Sequence, residues 1–170
     1  MRTSSVAIAP RVLLLDTGPL WELILYLAVH QLHFKSLQPE LRFVRTALEY
    51  ERLTQFISSF GTKTTTPHVV AEISRKTRET ERKGHALIWG VVYDEFNGMR
   101  MAEKLVELRG MPQELVAKIG AVDVSILNTG LDALFGKPLV LTVDAALASE
   151  CRKQGVEARM LSEIVNGHNP

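Results

Sequence analysis

Cysteine is nearly absent from this chain, since Cys151 is the only one among 170 residues. An internal disulfide and a cysteine-based zinc site are therefore excluded. We expect Cys151 to be a small buried residue on the last helix. An excess of one charge sign is also lacking, because the net charge is +1. Any site for a polyanion must therefore be a local patch rather than a property of the whole surface.

Long apolar runs are missing as well. The apolar stretches near the amino terminus are interrupted by Pro10, Arg11, Asp16, Pro19 and Glu22, so neither a membrane span nor a signal peptide is predicted. Hydrophobic residues make up 46% of the chain and charged residues 23%, which are ordinary globular values. We expect one soluble, cytoplasmic domain over residues 1–170, with its core at about 12–160 and loose termini at 1–10 and 165–170.

Short apolar runs alternate with helix-patterned segments along the chain. Strands are predicted at about 12–16, 63–66, 139–144 and 156–160. Helices are predicted from residue 17, over 39–60, from 67 through 95, from 112, over 121–135 and over 145–154. The stretch 99–108 fits either a helix or a short edge strand. This alternation predicts an α/β fold, with a central parallel sheet covered by helices on both faces.

Acidic residues stand at the ends of two predicted strands. The run Val12–Leu15 is followed by Asp16, and the apolar run that begins at Leu139 ends on Asp144. Ligands of open α/β sheets bind at the carboxyl ends of the strands. Two further acids, Glu72 and Asp123, lie between them on helix-patterned segments. Because converging carboxylates repel one another unless a cation lies among them, the pattern predicts a divalent-metal enzyme.

Each acid also has a structural alternative. Asp144 could cap the helix that follows it, and Asp123 could be a first-turn acid favoured by the helix dipole. Glu72 could be a solvated helix residue, and Asp16 could be a buried cap. The set of four carries more weight than any one of them. Thr17, beside Asp16, could donate its hydroxyl to the metal shell or to a phosphate.

Four segments together resemble the PIN domain family: Leu14–Thr17, Pro67–Glu72, Ile119–Leu127 and Leu141–Asp144. The resemblance extends from about residue 12 to residue 160. It implies an α/β/α sandwich in which four acids are both catalytic and metal-binding, namely Asp16, Glu72, Asp123 and Asp144. Thr142 stands where the family often has a threonine or serine near the last acid. The family's cofactor is Mg²⁺ or Mn²⁺.

The resemblance also implies a function. PIN-type enzymes are endoribonucleases that hydrolyse RNA phosphodiester bonds with metal-activated water. Many small members are toxins of type II toxin–antitoxin pairs, so an antitoxin protein and a homodimer are expected as partners beside RNA, without a membrane. The alternatives are a stand-alone RNA-processing nuclease and a non-catalytic PIN-like interaction module. A phosphatase of the haloacid-dehalogenase type is disfavoured, because Gly18 stands where that chemistry needs a second acid.

A basic run follows Glu72, and Arg75 and Lys76 are its candidate RNA contacts. The glutamates interleaved with this run favour a solvated mixed-charge face instead. The aromatic residues are expected to be core or dimer contacts rather than a base-stacking platform, because they occur at helical spacing among aliphatic residues. They are Trp21, Tyr26, Phe34 and Trp89. The interval from Asp16 to Glu72 is longer than in compact family members, and the predicted helix over 39–60 accounts for the extra length.

Overall fold

A parallel β-sheet forms the centre of the fold in a computed structural model of the chain. The structure describes residues 12–85, 87–98, 101–103, 111–132, 134 and 136–167. The strands are β1 (Val12–Leu15), β2 (Thr62–Thr65), β3 (Ala102–Glu103), β4 (Leu139–Thr142) and β5 (Ala158–Met160). All neighbouring strands pair in parallel, in the order β3-β2-β1-β4-β5. The predicted α/β class is therefore confirmed.

Helices connect and flank the strands. They are α1 (Thr17–His30), a 3-10 helix (Lys35–Glu40), α2 (Ala47–Ser58), α3 (Pro67–Arg82), α4 (Ile88–Gly98), α5 (Gln113–Ile119), α6 (Ala121–Leu131), α7 (Ala145–Lys153) and α8 (Leu161–Val165). Within the described residues, no helix combines the length and the apolar character that crossing a membrane requires.

The two central strands are buried. Leu13, Leu14 and Leu15 of β1 are fully buried, and every residue of β4 is buried as well. Strands buried on both faces require helices on both sides of a parallel sheet. Cys151 is buried, as expected, but it lies on α7, and α8 follows as the last described helix. Apart from Val124, the buried apolar residues of the described ranges belong to one core cluster, which extends to Val165 in α8.

The chain changes direction across the sheet between β1 and β4. It runs outward from β1 through β2 to β3, and then returns to β4 on the other side of β1. The carboxyl ends of β1 and β4 are held side by side, because the Asp16 amide donates to the carbonyl of Leu141 at 3.1 Å. In doubly wound sheets, such a reversal of strand order opens the crevice in which ligands bind.

The helix predicted over 39–60 is confirmed over Ala47–Ser58 and wrong for the residues before Ala47. Instead, the 3-10 helix ends at Glu40, and α2 begins at Ala47 behind a Thr46 cap. The segment between them is non-helical because the buried carboxylate of Glu22 draws its amides inward. Helix formation would have required those amides to bond within the segment itself.

Three other boundaries differ from the prediction. The helix predicted through residue 95 is interrupted, since α3 ends at Arg82 and Gly84 adopts φ +91° before α4 begins. A φ of this sign favours glycine and ends the helix. The last predicted strand acid, Asp144, lies beyond β4 and caps α7. Helix α6 ends at Leu131. Residues 1–10, most of 99–108, residue 135 and residues 168–170 lie outside the described residues.

Candidate active site

Asp16 lies at the carboxyl end of β1 and caps helix α1. Its Oδ1 accepts from the Thr17 amide at 2.6 Å, and its Oδ2 accepts from the Thr142 hydroxyl at 2.6 Å. The side chain is buried. Burial raises the pKa of Asp16, the bonds from Thr142 and Thr17 oppose that rise, and the nearby charges of Glu72 and Asp144 add to it. The carboxyl group is thus held in a fixed orientation beside two other acids.

Glu72 reaches the same place from helix α3. The Thr17 hydroxyl donates to its Oε2 at 2.8 Å, although the two residues are far apart in sequence. The half-buried Glu72 is therefore not the solvated surface residue of the structural alternative. Thr17 connects Asp16 to Glu72, since its amide bonds to the first and its hydroxyl to the second.

Thr142 and Asp144 complete the crevice from the end of β4. The Thr142 oxygen accepts from the Asp144 amide at 2.9 Å while its hydroxyl donates to Asp16. Asp144 is an exposed cap of α7, with Oδ1 accepting from the amides of Ala146 and Leu147 at 2.6 and 3.1 Å. Asp144 therefore caps α7 and also adds negative charge near Asp16. Among the described residues, no hydrogen bond occupies its Oδ2.

Asp123 approaches from the first turn of α6. Gly120, with φ +90°, makes the turn that separates α5 from α6 and so sets where this acid lies. Burial, followed by repulsion from Asp16, Asp144 and Glu72, raises the pKa of Asp123 from 3.8 to about 7. All four acids therefore share one electrostatic environment, although they come from distant parts of the chain.

Among the residues that the structure describes, no cationic side chain neutralises the four acids. Considering only the described residues, none of the four belongs to an ion pair. Their oxygens are nevertheless not arranged as a preformed cage, because no three acids, histidines or cysteines of the described residues lie at metal-ligating geometry. The two observations are compatible, since Coulomb repulsion acts over longer distances than a ligand bond of about 2.0–2.6 Å.

Two residues that support the site escaped the sequence analysis. Thr66 caps α3, and its hydroxyl lies 2.8 Å from that of Ser125 on α6 in a buried contact. Since the Ser125 hydroxyl donates to the Val122 carbonyl at 2.6 Å, Thr66 donates to Ser125. This contact joins the helix of Glu72 to the helix of Asp123. Thr66 precedes Pro67, and this cap-then-proline order was the available signal.

The two candidate RNA contacts differ in position. Arg75 is exposed and paired with Glu79 on its own helix. Lys76 is half-buried, and its ammonium lies 5.7 Å from the centre of the Trp21 ring. Trp21 itself is half-buried rather than a closed core residue. Tyr26, by contrast, is buried and stacks on Tyr50 with ring centres 4.5 Å apart, as a core residue should.

Comparison with known proteins adds no relative: no family model and no curated protein matches this chain.

Proposed function

We propose that this protein is a Mg²⁺- or Mn²⁺-dependent endoribonuclease of the PIN type. The observations that carry the proposal are the link that Thr17 makes between Asp16 and Glu72 at the carboxyl end of β1 and the repulsion that Asp16, Asp144 and Glu72 exert on Asp123 at this switch point of the parallel sheet. Four acids without a cationic partner are costly to hold together, so their arrangement favours a divalent cation as the missing charge.

The donor set suits such an ion. Carboxylate oxygens are the ligands that Mg²⁺ and Mn²⁺ prefer. Asp16 would be the most rigid ligand, because both of its oxygens are held by hydrogen bonds. Asp144 would offer the oxygen that its helix cap leaves free, and the raised pKa of Asp123 would fall when a cation binds nearby. When bound, the metal supplies charge neutralisation and an activated water for attack on phosphorus.

In this proposal, Thr17 and Thr142 hold metal-binding acids in position. Thr142 orients Asp16 through its hydroxyl and receives the Asp144 amide. Thr17 orients Glu72 in the same way. Partners that orient metal ligands commonly alter metal affinity or activity by about 10- to 100-fold when they are lost. The two hydroxyls therefore extend the site beyond the four acids.

The test is RNA cleavage by the purified chain. Single-stranded RNA is incubated with Mn²⁺, with and without chelator, beside Asp16→Asn and the control Glu51→Gln, which alters an exposed acid on α2. We expect cleavage by the unmodified protein and by the control, and its loss in chelator and in Asp16→Asn. Cleavage that survives chelation or the Asp16 substitution would overturn the proposal.

One observation favours a second candidate, a non-catalytic PIN-like interaction module. The four carboxylates, among the described residues, do not form a preformed ligand cage. Isothermal titration with Mn²⁺ separates the two candidates. Binding that Asp123→Asn weakens supports the nuclease, whereas a chain that takes up no Mn²⁺ supports the interaction module.

The cellular setting is part of the same proposal. RNA as substrate would place the activity in the cytoplasm, either as the toxin of a toxin–antitoxin pair or as a stand-alone processing nuclease. An antitoxin and a second copy of the chain are the proposed protein partners. Sedimentation of the purified chain, alone and with a co-expressed antitoxin, would test both.

A further inference from the structure

A cleft of about 460 Å³ opens beside the four acids. This volume lies within the range of about 300–1,000 Å³ that small-molecule sites occupy. Trp21 and Phe43, both half-buried, supply aromatic surface, and Arg42 and Lys76 supply positive charge. The cleft therefore differs in chemistry from the acidic crevice that it adjoins.

The cleft is adjacent to the acidic site along two segments of the chain. Two residues of its wall, Gly18 and Val143, are chain neighbours of Thr17 and Asp144. Gly18 has to be a glycine here, because a Cβ would lie 2.3 Å from Cγ2 of Val143. This close approach brings the start of α1 against the end of β4, so that Gly18 and Val143 lie in the wall of the cleft while their chain neighbours Thr17 and Asp144 belong to the acidic site.

Helices α1 and α3 each carry one residue of the acidic site and, one turn later, one residue of the cleft. Trp21 lies four residues after Thr17 on α1, and Lys76 lies four residues after Glu72 on α3. Residues at this spacing share a helix face, and the rise between them is about 6 Å. The Thr17–Glu72 hydrogen bond is thus followed, one turn along, by the contact of Lys76 with the Trp21 ring.

Within the part of the chain that the structure describes, the positive charges of the cleft are not paired with acids. Its two carboxylates are engaged elsewhere: Glu22 accepts backbone amides, and Glu40 pairs with Lys83 at 3.1 Å. Within the described ranges, neither Arg42 nor Lys76 belongs to an ion pair. Cations that remain available beside an aromatic ring suit a ligand with both a phosphate and a planar base.

The geometry points to a nucleotide subsite. We infer that the cleft holds the unpaired base of a single-stranded RNA on Trp21, with Arg42 and Lys76 on the flanking phosphates, while the next phosphodiester lies at the acids. The inference rests on the proposed function and adds to it a subsite for one base and its flanking phosphates. It differs from the sequence-based expectation that Trp21 is a core or dimer contact rather than part of a base-stacking platform.

The experiment measures binding without cleavage. The chain has two tryptophans, so Trp89→Phe leaves Trp21 as the single reporter of fluorescence. This protein is titrated in chelator with a short single-stranded RNA, and with the same sequence as a duplex. We expect the single strand to quench Trp21 and the duplex to leave its emission unchanged. Equal quenching by both, or by neither, would overturn the inference.

Charge variants on one helix provide the matched control. Lys76→Ala should weaken single-strand binding by roughly three- to tenfold and lower the salt dependence by about one phosphate contact. Arg78→Ala removes the same charge from α3 but faces a separate surface beside Arg75. It should bind within roughly twofold of the parent. Equal weakening by both variants would indicate general electrostatics and refute the subsite.

The two proposals fail in distinguishable ways. Metal-dependent cleavage with no Trp21 response, and with unchanged KM in Lys76→Ala, would leave the nuclease standing and remove the subsite. Quenching in chelator with no cleavage in Mn²⁺ would leave the subsite standing and remove the nuclease.

Discussion

Burial and repulsion from the other three acids should make ionised Asp123 lower the folding stability of the metal-free protein. Its pKa is raised from 3.8 to about 7, first by burial and then by Asp16, Asp144 and Glu72. In the unfolded chain the group loses its proton near 3.8, whereas in the folded chain it keeps the proton until about 7. Between these values the folded state binds more protons, so stability falls as the pH rises.

The magnitude follows from the size of that rise. A change from 3.8 to about 7 corresponds to at most about 4 kcal/mol, since one pH unit is worth 1.36 kcal/mol. Asp123 is only half-buried, and solvent screening reduces the effect to roughly 1–2 kcal/mol. Asp123→Asn removes the charge while keeping the shape of the side chain. It should therefore stabilise the metal-free protein by roughly that amount at pH 8 and by about a third of it at pH 5.

Urea unfolding in chelator at pH 5 and pH 8 measures this difference. The control is Glu51→Gln, an exposed substitution on α2, whose effect should not exceed roughly 0.5 kcal/mol at either pH. The reasoning is refuted if Asp123→Asn has the same effect at both values, or if it destabilises the protein at pH 8. Saturating Mn²⁺ should reverse the order, because the cation stabilises the unmodified site more than the site that lacks one acid.

Three further predictions concern residues that support the site and the cleft. Glu22→Gln should lower the free energy of unfolding by roughly 2–3 kcal/mol, since one carboxylate oxygen that accepts backbone amides is replaced; urea unfolding measures it. Gly18→Ala should cost about 1–3 kcal/mol through its clash with Val143, and Val143→Ala in the same chain should recover part of that loss. Thr142→Val should lower kcat/KM on RNA roughly tenfold while the fold persists, because Asp16 loses its orienting hydroxyl; unchanged kcat/KM would contradict this role.

The sheet and its acidic end could be predicted because both depend on local patterns. The apolar run Val12–Leu15 is too short for a helix and ends on Asp16, and a second such run leads to Thr142 and Asp144. Burial of the central strands confirms what their composition indicates. Strand order, however, is a property of the whole chain. That β1 and β4 are neighbours, which places Asp16 and Asp144 in one crevice, becomes visible only in the structure.

The hydrogen bonds that orient the acids could not be predicted from the sequence for the same reason. Thr17 reaches Glu72, and Thr66 reaches Ser125, across more than fifty positions of the chain. A threonine that follows an acid at the end of a strand suggests a ligand or a helix cap. The neighbouring sequence, however, does not indicate which residue its hydroxyl bonds to. The position of each acid could therefore be predicted, and the hydroxyl that holds it could not.

One residue explains both the non-helical segment before Ala47 and the cleft that the sequence analysis did not predict. Glu22 lies on the buried side of α1, where a carboxylate needs several donors to be tolerated. It finds them in the amides of Arg42, Phe43 and Val44 at 3.0–3.3 Å. Those bonds prevent the segment from being helical, and they also bring Phe43 and Arg42 to the cleft beside Trp21. A single buried glutamate thus overrides the local helical pattern and builds the surface on which we place the substrate base.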